Sequence, residues 1–120
     1  MLKLLPLLAL LLVACDAAPE PDRELLIDLL GAFSDTPVRV EVGDDVVYDG
    51  RATTGDVLAT AGIVHVRVTA GEHRVRAVVE GRFEAEVTVD TETIVAVGVW
   101  YSPETGEVEL TPSTYAFPHR

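Results

Sequence analysis

Val64-His65-Val66-Arg67-Val68-Thr69-Ala70-Gly71-Glu72-His73-Arg74-Val75-Arg76-Ala77-Val78-Val79 is the stretch on which the fold turns. Apolar and polar residues alternate on both sides of Ala70-Gly71. Successive strand side chains point to opposite faces, so this period of two predicts two half-buried strands. A two-residue turn at Ala70-Gly71 sets Val68 against His73 and Val66 against Val75, with the valines on one face. The next apolar set is Phe83, Ala85, Val87 and Val89. It comes back into phase only across a three-residue loop, Glu80-Gly81-Arg82, which pairs Val79 with Phe83 and Ala77 with Ala85. The same register puts Arg76 opposite Glu86 on the outer face, where an ion pair is worth at most about 1 kcal/mol.

Working outward, Val38, Val40 and Val42 alternate with Arg39 and Glu41. Gly43-Asp44 reads as a hairpin turn, and Asp49-Gly50 as a second turn after Val46-Val47-Tyr48. Arg51 to Gly62 is rich in Thr, Ala and Gly and predicts a loop with a short extended piece. Thr93 to Tyr101 is apolar on both faces, which predicts a strand covered on both sides, with Gly98 marking a close approach. Ser102-Pro103-Glu104-Thr105-Gly106 is a turn before a last strand at Val108 and Leu110. Arg23 to Phe33 fits either a helical face (Leu25, Leu26, Leu29, Leu30, Phe33) or a buried first strand. The β character downstream favours the strand. Seven or eight short strands imply an all-β fold, a small Ig-like antiparallel β-sandwich over residues 23–111, with 112–120 as a tail lying on the domain.

The run Val68-Thr-Ala-Gly-Glu-His-Arg-Val-Arg-Ala-Val-Val-Glu-Gly-Arg-Phe83 resembles the Gly-x-His hairpin of small bacterial Ig-like domains of the PEGA type. The resemblance covers about a third of the chain. It implies a fold and an envelope setting and no chemistry.

The N-terminus carries the chemistry. Met1-Leu2-Lys3 is a short positive segment, and Leu4 to Val13 is an apolar run interrupted only by Pro6. A spanning helix needs roughly 20 apolar residues, so this run fits a signal segment. Leu12-Val13-Ala14-Cys15 follows and resembles the lipobox of bacterial prolipoproteins. That resemblance implies that residues 1–14 are cleaved as a signal peptide and that Cys15 becomes the lipid-attachment residue. It places the mature chain in the bacterial cell envelope, lipid-anchored on the extracytoplasmic side of a membrane. Asp16 resembles the signal that keeps such proteins at the inner membrane. Residues 15–22 then form a lipidated N-terminus and an extended linker with two prolines and no large apolar side chain.

Composition narrows the partners. The chain has 20 acidic residues, nine basic ones and a net charge of −11. Lys3 is the only lysine, so cleavage before Cys15 leaves eight arginines and a formal −12. Such a surface repels phosphate backbones and anionic head groups, which disfavours nucleic acid and electrostatic membrane docking. The single cysteine excludes an intrachain disulfide and multi-thiolate metal sites. The chain has no Asn and no Gln.

No nucleophile–base motif stands out around His65, His73 or His119, so the chain reads as non-enzymatic, without catalytic residues, metal or cofactor. His65 and His73 have opposite parity and cannot share one ion. Asp44, Asp45, Asp49 and Asp56 fall in consecutive loops without an EF-hand spacing. His65, Arg67, Arg74 and Arg76 are expected to share the outer face of one hairpin, with Arg67 opposite Arg74. This candidate interaction face would meet an anionic glycan or an acidic envelope protein, unless Glu84 and Glu86 on the next strand neutralise it. Trp100 and Tyr101 must face opposite sides, one in the core and the other free to stack on a sugar with Tyr115 and Phe117. The reading is a lipid-anchored envelope protein acting as a structural or protein-interaction module. The alternative is a carbohydrate- or calcium-binding β-sandwich.

Overall fold

The computed structural model describes residues 21–55 and 62–117. The signal segment, Cys15, Asp56 and His119 lie outside the described residues. The elements are β1 (Arg23–Leu29), β2 (Thr36–Val42), β3 (Asp45–Ala52), β4 (Gly62–Val68), β5 (Glu72–Val79), β6 (Phe83–Asp90), β7 (Ala96–Ser102) and β8 (Glu107–Ser113). They form two four-stranded sheets, ordered β4-β1-β7-β8 and β3-β2-β5-β6. The protein is an all-β sandwich of eight strands, and the ambiguous Arg23–Phe33 segment begins with a strand.

The alternating apolar residues become the two inner faces. Leu25, Ile27 and Leu29 of β1 and Val97, Val99 and Tyr101 of β7 meet Val38, Val40 and Val42 of β2 and Val75, Ala77 and Val79 of β5. The eight largest side chains sealed from water include Leu25, Ile27 and Val40. Burying each such side chain contributes about 1.5–3 kcal/mol. Phe33 and Phe83 close the far end around Tyr101, with ring centroids 5.8 and 6.3 Å from it.

Several local expectations hold. The hairpin of β2 and β3 turns at Gly43, whose φ is +60°. β5 and β6 are joined by Glu80-Gly81-Arg82, with Val79 paired to Phe83, Ala77 to Ala85 and Arg76 to Glu86. Glu80 and Gly81 both adopt positive φ. The strain at Glu80 is held by its N–H donating to Pro37 O at 2.8 Å and its carboxylate accepting from the Tyr101 hydroxyl at 3.2 Å. β7 is covered on both faces as far as Val99. A Cβ on Gly98 would meet Leu30 Cδ1 at 2.8 Å and Phe117 Cζ at 3.1 Å, so the tail packs onto the outer face at this glycine.

Other expectations are corrected. β4 and β5 are not a hairpin. β4 pairs with β1 in one sheet and β5 with β2 and β6 in the other, so Thr69-Ala70-Gly71 crosses between sheets. Val66 faces Leu25 across the ladder, and Val75 faces Val42 and Val87. The crossing is tied down from both sides. The buried Thr91 hydroxyl donates to Thr69 O at 2.8 Å and accepts from Gly71 N at 3.1 Å. The Thr91 N–H donates to Gly71 O at 2.9 Å. His73 Nε2 lies 2.7 Å from Thr69 O.

Asp49-Gly50 is not a turn. β3 runs through it, with Gly50 paired to Val38. Tyr48 lies over Gly50, its hydroxyl 3.3 Å from where a Cβ would sit, and fills the space the glycine leaves. The first sheet is also mixed, because β1 runs parallel to β7. β8 continues past Thr111 to Ser113, with Pro112 on an edge where no ladder N–H is needed.

Candidate functional site

The four basic residues expected on one face are split by the sheet crossing. His65 and Arg67 stand on the outer face of β4, and Arg74 and Arg76 on the outer face of β5 in the other sheet. Arg67 is opposite Glu24, and Arg74 is opposite Thr88. The expected Arg67–Arg74 opposition does not exist. A single basic face made of all four residues is therefore corrected to two separate ones.

On β5 the arginines are neutralised within the sheet. Arg76 bonds Glu84 at 2.7 Å and Glu41 at 3.4 Å, and Arg74 lies 3.5 Å from Glu86. The hydrogen bond and charge of Glu84 hold the Arg76 guanidinium protonated above its ordinary range. The neutralising partners are therefore the β6 glutamates anticipated from the register, reached diagonally for both arginines. A shallow depression of about 370 Å³ lies over this network, lined by Arg39, Glu41, Arg76 and Glu84 among others.

On β4 the basic residues have fewer partners, one on the β1 side and one at the rim of the sandwich. His65 Nδ1 is 3.4 Å from Glu24 of β1, and Arg67 Nη2 donates to the Pro21 carbonyl at 3.1 Å. His73 has the inward parity expected of it and is half-buried against Thr69.

Tyr101 is the core member of the aromatic pair and Trp100 the outward one, 41% exposed. Burial, then the Glu80 carboxylate, raises the Tyr101 phenol above its ordinary range. Trp100 Nε1 and Phe117 Cζ both lie close to Gly98, so these aromatics share one outer patch, and Tyr115 projects nearby in sequence at 71% exposure. Asp44, Asp45 and Asp49 are exposed. Among the described residues no three His, Cys, Asp or Glu side chains converge on a metal-binding geometry.

The sequence reading missed a lateral slot between the sheets. β6 and β8 approach each other along one side of the sandwich, while β3 and β4 approach less on the other. The slot there has a volume of about 300 Å³, is lined by Val42, Val47, Val66 and Val68, and is rimmed by Pro21 and Arg67. Only the assignment of β4 and β5 to different sheets exposes it, and alternation alone carries no signal for that. No protein-family model, curated protein or solved structure matches this chain.

Proposed function

We propose that this protein is a lipid-anchored module of the bacterial envelope that binds another protein and catalyses no reaction. The observation that carries the reading is Leu12-Val13-Ala14-Cys15 behind a ten-residue apolar run, seven residues ahead of β1. The thiol of Cys15 would take the lipid. Two or more acyl chains anchor stably, since each buried CH₂ contributes about 0.8 kcal/mol.

The geometry of the domain supports the tether. β1 begins at the end of the sandwich that also carries the turns at Asp44-Asp45, Glu72 and Asp90-Glu92. With Asp22, that end presents six exposed acidic residues. It would be repelled by anionic head groups, so a covalent lipid is what keeps it near the bilayer. Asp16 to Asp22, seven residues, reaches at most about 25 Å at roughly 3.5 Å per residue. The domain would therefore stand clear of the surface with its sheet faces and lateral edges free for a partner.

Replacing Cys15→Ser tests this. The expected result is loss of palmitate labelling and release of the protein from the membrane fraction. Unchanged labelling refutes the anchor. The exposed Trp100 favours a second reading, a glycan-binding patch with Phe117 beside it. Glycan-array binding that disappears in Trp100→Ala would replace the protein-partner reading with that one.

A further inference from the structure

We infer that the free edge of β4 accepts an extended strand from a partner whose residues alternate acidic and small apolar side chains. The inference deepens the interaction-module reading and rests on it.

Among the described residues, the backbone of β4 has a neighbouring strand on one side only. The N–H groups of Leu26 and Leu30 donate to Val95 O and Val99 O, towards β7. Backbone groups alternate in direction along a strand, so Leu25, Ile27 and Leu29 turn theirs towards β4. Their partners Val66, Val64 and Gly62 point back at β1. Ile63, His65 and Arg67 therefore direct their N–H and C=O groups away from the sheet. Among the described residues no strand pairs with that edge.

Among the described residues, the other three edges carry a bulge, a proline or several acids, whereas β4 carries only His65 and Arg67. β3 has a bulge opposite Val40/Glu41 and carries Asp45 and Asp49. β8 contains Pro112, Glu107 and Glu109, and β6 carries Glu84, Glu86 and Asp90. β4 reads Gly-Ile-Val-His-Val-Arg-Val, with no proline, bulge or acidic residue. Edge strands are normally protected by such devices. An edge whose outer face carries His65 and Arg67 and no acid is suited to strand addition by a partner segment with carboxylates at matching positions, in spite of the chain's net charge of −11.

The fold itself shows which strand chemistry fits. β5 has the same alternation of basic and apolar residues as β4, Arg74-Val75-Arg76-Ala77 against His65-Val66-Arg67-Val68. Its neighbour β6 answers with Glu84-Ala85-Glu86-Val87, and the pairs close at 2.7 and 3.5 Å. A strand of the β6 type on β4 would set its carboxylates beside His65 and Arg67 on the flank Glu24 does not cover. Its apolar side chains would cover the slot over Val47, Val66 and Val68. The chain's own linker, Asp16 to Asp22, is a poor occupant, because it has no valine or larger apolar side chain to cover the slot as Val87 would.

The test uses the full chain as the cell produces it, in detergent whether or not Cys15 carries lipid, and a capped synthetic peptide with the β6 sequence, Phe83–Asp90. Calorimetry is expected to give one site. Amide exchange at Ile63, His65 and Arg67 should slow by about ten-fold or more at saturation. A peptide with both glutamates changed to lysine should bind at least about ten-fold more weakly, and Arg67→Glu should reverse that preference. His65→Pro removes one outward N–H without touching the β1 ladder, and should abolish binding. If His65→Pro fails to fold, Arg67→Glu carries the test alone. Unchanged exchange at about 1 mM peptide, or equal binding of both peptides, overturns the inference. So does self-association through β4 that the peptide cannot displace, which would make the occupant a second copy. None of these outcomes depends on the palmitate labelling of Cys15, so failure of the anchor and failure of the edge are told apart.

Discussion

Thr91→Val is the sharpest probe of the sheet crossing. The substitution keeps the side chain's shape and removes its hydroxyl. That hydroxyl donates to Thr69 O at 2.8 Å and accepts from Gly71 N at 3.1 Å, and the residue is 4% exposed. Thr69 O keeps a partner in His73 Nε2 at 2.7 Å, so the group left orphaned is the Gly71 N–H. Two hydrogen bonds contribute about 1 kcal/mol each, and an orphaned donor costs about 1–3 kcal/mol when water cannot reach it. Gly71 is half-exposed, which pulls the penalty to the low end. The expected loss is about 2 kcal/mol, a fall in Tm of roughly 8–16 °C for a domain of this size. Thr91→Ser keeps the hydroxyl and loses one methyl, about 0.8 kcal/mol. Urea and thermal denaturation of both variants read the difference. If β4 and β5 were a hairpin in one sheet, Thr91 would not be tied to Thr69 and Gly71. A Thr91→Val variant within about 0.5 kcal/mol of the parent, the range of neutral surface changes, refutes the crossing. A Thr91→Ser variant as damaged as Thr91→Val would refute the role of the hydroxyl.

Two glycines should respond very differently to alanine. At Gly31 the new Cβ would collide with the Tyr101 backbone nitrogen, between the bonds Leu30 N to Val99 O and Ala32 N to Tyr101 O. Backbone cannot yield there, and the expected cost is about 3 kcal/mol or more. At Gly98 the obstacles are side-chain ends on Leu30, Phe117 and Trp100, so Gly98→Ala should cost about 1 kcal/mol and displace the tail. Equal losses in chemical denaturation would contradict this ordering. The Tyr101 phenol, raised by burial and by Glu80, gives an alkaline limb to stability. Below about pH 10 the phenol is neutral folded and unfolded, and its contribution is complete. Above that the unfolded chain ionises first, so stability falls until the pH passes the folded value. A Tyr101→Phe variant should lack this limb in denaturation curves taken between pH 9 and about 11, and a variant that keeps it in full would remove Tyr101 as its source.

The sequence was legible wherever parity decides the outcome. Valines at 38, 40, 42, 66, 68, 75 and 79 are all inward because a strand with one wet face has only one satisfactory phase. The three-residue loop at Glu80 was readable for the same reason, since a two-residue turn would have put Arg82 against Val79. The β4–β5 link was not. A hairpin and a crossing between sheets both bury Val66, Val68 and Val75, so hydrophobic phase is degenerate between them. What separates them is long-range. β4 pairs with β1, nearly forty positions earlier, and the link is bound by Thr91, twenty positions later. Gly50 misled for a local reason. Asp-Gly is a strong turn signal, but here Gly50 stays paired to Val38 with Tyr48 lying over it.

That one degeneracy governs what the candidate site is. In a hairpin, Arg67 and Arg74 would stand opposite each other, a repulsive pair needing outside acid to settle it. In the crossing, each basic strand instead takes the neighbours of its own sheet. β5 lies inside its sheet, between β2 and β6, and Glu41, Glu84 and Glu86 leave its arginines nothing to offer a partner. β4 lies at an edge, so His65 is answered by Glu24 of β1 and Arg67 by the neutral Pro21 carbonyl. Two segments with nearly the same alternation thus acquire opposite roles, one saturated and structural, the other open. The difference comes from sheet position and not from composition. A strand's capacity to bind can therefore be judged only after its two lateral neighbours are known, and among the described residues β4 has one.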